Sequence, residues 1–122
     1  MASGEAVYAA KCQTCHGAEG MGQPHDRLAG GHGTLDSLSQ VRTIGSYWPY
    51  ASTVFDHVRR AMPFNEPQSL SIDEVYAVIA YLLFRNGIVA DDAVMDARSL
   101  ARVKMPNEDG FIMAYPDKPA LE

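Results

Sequence analysis

The stretch Cys12-Gln13-Thr14-Cys15-His16 contains both cysteines of the chain, and the rest of the sequence is read outward from it. Its spacing, C-x-x-C-H, is the sequence rule for c-type haem attachment. Two thiols three positions apart can form thioether bonds to the two vinyl edges of one porphyrin, while the imidazole of the next residue comes up beneath the iron. Cys12, Cys15 and His16 are therefore expected to hold one covalent haem c, with His16 as an axial iron ligand. Two other readings compete. A thioredoxin-like redox pair needs a βαβ setting, and a structural zinc site needs further Cys or His at ligand spacing. His25 and His32 supply enough donors for zinc by count, but the adjacent histidine and the lack of any other cysteine both follow from haem.

The flanking sequence reads as all-α. Apolar residues recur at helical spacing in three places, and sustained strand-like alternation is found nowhere. Ser3 is placed to cap a first helix running to about Cys12, with Ala6, Val7 and Ala10 on one face. That helix delivers the cysteines at its end. Residues 17–33 are rich in glycine and polar side chains, so they are expected to form a loop that keeps the backbone close to what it wraps. Leu35 to Val41 is expected as a short helix. A clearer one starts at Tyr50 or Ala51, carries Val54, Phe55, Val58 and Met62 at helical spacing, and is stopped by Pro63. The strongest signal is Ser71 to Asn86, where Ser71 and Glu74 make a capping-box pair and Gly87 supplies the stop. Asp91 to Leu100 is expected as a short helix, and Ala101 to Glu122 as an extended, proline-containing tail.

Met62 and Met105, each followed by proline, are the candidates for the sixth iron ligand. Proline after methionine forces that methionine toward extended backbone and stiffens the loop, which suits a thioether held over a metal. Met62 is preferred because it precedes the capped helix and leaves a loop from His16 long enough to circle a haem edge; Met105 is the alternative. Core packing is the commoner fate of methionine and is expected for Met95 and Met113. His25, His32 and His57 are read as surface or loop residues. A porphyrin would also supply the core that the glycine-rich first third lacks. Burying several hundred Å² of it is worth on the order of 10 kcal/mol at ~25 cal/mol/Å², before entropy costs.

Composition narrows the class further. The 122 residues fit one domain, with 47% apolar residues, a mean hydropathy of −0.16 and no stretch long enough to span a bilayer. Met1 to Met62 balances five acids against five bases, whereas Pro63 to Glu122 holds ten acids and five bases, so the net charge of −5 comes from the second half. Basic residues cluster only at Arg59-Arg60, which gives no footprint for nucleic acid. A haem-attachment motif requires export, yet Met1-Ala2-Ser3 has no signal-peptide character, so a processed or excised periplasmic form is expected. Ala120-Leu121-Glu122 has the look of a cloning scar.

Gly4-x-x-Val7-Tyr8 ahead of Cys12-x-x-Cys15-His16-Gly17, with Met62 ahead of the last main helix, resembles class I cytochrome c. The resemblance implies that fold around one covalent haem, with a core at residues 4–88 and a C-terminal extension at 89–122 packed on or beside it. A closer likeness runs through Thr43-Ile44-Gly45-Ser46-Tyr47-Trp48-Pro49-Tyr50-Ala51, Arg60-Ala61-Met62-Pro63-Phe64 and Pro67-Gln68-Ser69-Leu70-Ser71, with Met105-Pro106-Asn107-Glu108-Asp109-Gly110-Phe111 beyond. These segments resemble the cytochrome subunit of periplasmic Sox sulfur dehydrogenases, the SoxD type, and the cytochromes of sulfite dehydrogenases. The likeness implies Trp48 beside the haem, a molybdenum-cofactor dehydrogenase subunit as electron donor and another cytochrome as acceptor. Catalysis would then lie in the partner and electron transfer in this chain. Subunits of that type can carry two haem domains, whereas this sequence has one C-x-x-C-H, so one domain of a longer protein or a single-haem relative is expected. A free-standing electron shuttle or the haem domain of another dehydrogenase would share the motif. A gas-binding haem protein would instead need an open sixth position.

Overall fold

The computed structural model describes residues 1–109 other than Pro24, Asp26 and Asp36. Among these the regular structure is entirely helical: α1 (Ala2–Lys11), α2 (Gln13–His16), α3 (Ala51–Ala61), α4 (Ile72–Arg85) and α5 (Ala97–Ala101), with one 3₁₀ turn at Ala18–Gly20. This is the all-α class that the sequence predicts.

Helix α4 is the pillar of the core. Ser71 Oγ accepts the Glu74 N–H at 3.1 Å and Glu74 Oε1 accepts the Ser71 N–H at 2.8 Å, so the expected capping box forms. Asp73 and Glu74 in the first turn and Arg85 in the last complement the helix dipole. Val75, Val78, Ile79, Ala80, Tyr81, Leu82 and Leu83 are all buried, each large apolar side chain contributing about 1.5–3 kcal/mol. Helix α1 crosses α4 through Gly4 and Tyr8, while α3 brings Val54 and Val58 against it, with the Phe55 and Tyr76 rings 4.6 Å apart. Met95, Leu100 and Met105 join the same core.

Three sequence expectations are corrected. Helix α1 begins at Ala2 with Met1 as its cap, so Ser3 lies inside the first turn and caps nothing. The Glu5 N–H bonds Met1 O at 3.1 Å, so the backbone is already helical ahead of the Gly4 contact with α4. Among the described residues of 35–41 there is no helix, because local side chains take backbone groups that a helix would use. Thr34 Oγ1 accepts the Val41 N–H at 2.9 Å and donates to Gly31 O at 2.7 Å, Ser37 Oγ donates to Thr34 O at 2.7 Å, and the Gln40 amide bonds Leu35 O. Finally, the helix expected over 91–100 starts only at Ala97. Asp96 sets that start, its carboxylate accepting the Arg98 and Ser99 N–H groups at 2.9 and 2.8 Å while Ser99 Oγ accepts the Asp96 N–H. The tail expectation is described only to Asp109; Phe111, Met113 and Ala120-Leu121-Glu122 lie outside the described residues.

Candidate haem site

The chain turns at Cys12, the residue that ends α1 and caps α2. Its N–H still bonds Tyr8 O at 2.9 Å, while its own carbonyl accepts the N–H groups of Cys15 at 3.1 Å and His16 at 3.0 Å. Positions i, i+3 and i+4 of one helical turn share a face, so Cys12, Cys15 and His16 project together, as the attachment chemistry requires. The thiols are not joined in a disulfide. Cys12 is half-buried, and burial pushes its thiol up to about 11, with Cys15 beside it adding to the rise. A redox-active C-x-x-C pair needs the opposite shift, so the thioredoxin-like reading has no support at this turn. Nor does zinc find a donor set: among the described residues no three His, Cys, Asp or Glu side chains gather at metal-binding range. His25 and His32 are exposed, and His32 Nε2 lies 2.9 Å from the Asn86 carbonyl.

Gly17 has φ +79°, and a Cβ there would stand 2.9 Å from the Gly22 carbonyl carbon, so only glycine lets the chain fold back under the motif. The loop that follows is fastened to the helices by polar groups. Leu28 N–H bonds Gly20 O at 2.8 Å, and Thr43 Oγ1 donates to Gly30 O at 2.7 Å. The buried Asn86, at the end of α4, accepts the Gly30 N–H at 3.0 Å and donates to Leu28 O at 3.2 Å and Leu82 O at 2.8 Å. The sequence marks Asn86 only as a helix end. Its partners Gly30 and Leu28 lie 56 and 58 residues away, and no local pattern announces them.

Met62 is the C-terminal cap of α3, in extended conformation at φ −115° and ψ 148°, as a residue before proline must be. Its N–H bonds Val58 O at 3.2 Å, and its side chain is half-buried. Cys12, Leu28, Trp48, Phe55 and Met62 all pack on the margin of the one core, neither sealed inside nor fully in water. The Trp48 ring lies 5.8 Å from that of His57. Met105 is placed differently: it is 0% exposed and sits within the core itself. Two cysteines and a histidine on one face, with a half-covered apolar margin that includes a methionine, are a donor set and a lining that fit haem c.

The family described as cytochrome c oxidase, cbb3-type, subunit III matches residues 1–82. The chain belongs to this family. It is a c-type cytochrome domain, whose cofactor is haem c and whose role is electron transfer. Among solved structures it is similar to a chain of the sulfane dehydrogenase SoxCD from Paracoccus pantotrophus, with 48% identity and a TM-score of 0.88 over 95% of this chain. The cytochrome domain spans 56% of that longer chain. Comparison with curated proteins gives no match. Among the described residues of the domain, no helix is long and apolar enough to cross a membrane.

Proposed function

We propose that this domain accepts single electrons from a molybdenum-cofactor dehydrogenase acting on reduced sulfur compounds or sulfite, and passes them to a second cytochrome in the periplasm. The observation that carries the reading is 48% identity to a chain of a sulfane dehydrogenase, sustained over 95% of this sequence, past the segment matched by the cytochrome family. The same reading assigns the site. Cys12 and Cys15 hold one haem covalently, His16 and Met62 ligate its iron, and Trp48 lies against it. When bound, that group supplies a one-electron couple, and a methionine ligand raises its potential relative to two histidines.

The residues themselves do the positioning. The spacing of Cys12, Cys15 and His16 along the α2 turn supports two thioether sulfurs and one ligand nitrogen on one face, and the extended backbone at Met62 supports a thioether held apart from the α3 ladder. The burial of Met105 favours a packing role for it over ligation. We also place the cytochrome core at 4–88 and an extension at 89–122. Met95, Leu100 and Met105, buried in the common core, support an extension packed on that core.

Two measurements test the proposal. Intact mass of the matured, denatured protein should exceed that of the polypeptide by one haem; a bare chain overturns the site. The full-length product should copurify with a molybdenum protein that reduces it when given a reduced sulfur compound. A protein isolated alone, and reduced only by unrelated dehydrogenases, would make it a general shuttle.

A further inference from the structure

The three carbonyls at the end of the C-x-x-C-H turn are each bonded from outside it. His25 N–H donates to Cys15 O at 2.7 Å, Gly22 N–H donates to His16 O at 2.7 Å, and the Tyr8 hydroxyl donates to Gly17 O at 2.6 Å. The first two donors are backbone groups of the glycine-rich loop. The third is a side chain from α1. Tyr8 also carries the carbonyl that accepts the Cys12 N–H at 2.9 Å, so one residue grips the motif at both ends. It is 1% exposed, and its ring packs on Tyr81 with centroids 5.2 Å apart. Phenylalanine would serve that packing equally well. It is the hydroxyl that reaches Gly17 O, which also accepts the Gly20 N–H at 3.3 Å, and Gly17 stands at φ +79°, a conformation that favours glycine.

We propose that Tyr8 is a positioning residue for the axial histidine: its hydroxyl, bonded to Gly17 O, holds the Gly17–Ala18 peptide just beyond the motif, and with it the backbone turn from which the His16 imidazole projects beneath the iron. Holding the chain just beyond His16, while the Cys12 N–H is held on the other side, keeps the backbone that carries the imidazole from shifting relative to α1. This rests on the haem attachment proposed above.

Tyr8→Phe removes one oxygen and keeps the ring. In the haem-loaded, oxidised protein, the paramagnetically shifted haem-methyl resonances depend on the orientation of the axial imidazole and report the effect directly. Tyr8→Phe should rearrange their shifts and move the reduction potential while intact mass still shows one haem. Tyr81→Phe takes a hydroxyl from the same aromatic pair, but not one bonded to Gly17, and should leave the pattern unchanged. Loss of stability with unmoved haem-methyl shifts would overturn the inference, as would equal changes in both variants. If Tyr8→Phe fails to fold, the wild-type protein decides: a slowly exchanging Tyr8 hydroxyl proton close to Gly17 is required, and its absence overturns the brace. A wild-type protein that carries no haem would instead overturn the underlying attachment.

Discussion

A Cβ built on Gly4 would stand 2.9 Å from the carbonyl carbon of Ala77 and 2.9 Å from Cβ of Tyr81, and nearer still to the Ala77 oxygen. The backbone of α1 therefore touches the backbone of α4 at this point, and everything α1 delivers, from Tyr8 to Cys12, is registered by that contact. Gly4→Ala is already too large, and Gly4→Leu should cost at least about 1–3 kcal/mol through overpacking. Denaturant unfolding of the two variants checks this, and an unchanged midpoint would mean that the helices do not meet there.

The two methionine-proline pairs should respond in opposite ways. Met62→Ala should abolish the weak near-infrared sulfur-to-iron band of the oxidised protein with a modest effect on folding. Met105→Ala should keep the band but lose about 2–5 kcal/mol, because it empties a fully buried site. Loss of the band in the Met105 variant alone would reverse the assignment.

Asn86 is 4% exposed and satisfies groups on two segments at once. Replacing it by alanine takes this partner from the Gly30 N–H, at about 1–3 kcal/mol for a group left unsatisfied, while the Leu28 carbonyl keeps the Ile44 N–H at 3.3 Å. Amide hydrogen exchange should accelerate selectively at Gly30 in Asn86→Ala. Uniform acceleration along the chain would show that Asn86 supports the fold only globally.

Burial, opposed by a Gly20 backbone hydrogen bond, pushes the Tyr8 phenol up from 10.0 to about 12. The unfolded chain then loses this proton before the folded one does. The contribution to stability is complete below pH 10.0 and is lost as pH rises toward about 12. Stability measured between those limits should fall with pH more steeply in the wild-type protein than in Tyr8→Phe, which has no phenol to titrate at this position. Parallel curves would remove Tyr8 from the account.

The extent to which the sequence disclosed this molecule follows the range of the interactions involved. The capping box of α4, the extended backbone at Met62 and the one-faced display of Cys12, Cys15 and His16 each depend on residues within four positions of one another, so spacing alone specifies them. The segment expected as a helix at 35–41 is also a local matter, but there side-chain hydrogen bonds to the backbone outcompete helical ones. Asp96 likewise carries a visible capping residue, while the apolar pattern ahead of it invited a longer helix.

Local sequence thus specifies the helical class, the Cys12–His16 turn and the chemistry that its residue types permit. Tertiary structure alone decided that Met105 is sealed in the core while Met62 stays on its margin, that Asn86 fastens the loop at residues 28–30, and that Tyr8 reaches Gly17. Both methionines precede proline and have equal donor chemistry, so they differ only in which neighbours cover them. Burial is a property of the packed chain, set by contacts between residues far apart in sequence, and spacing along the chain carries no record of it.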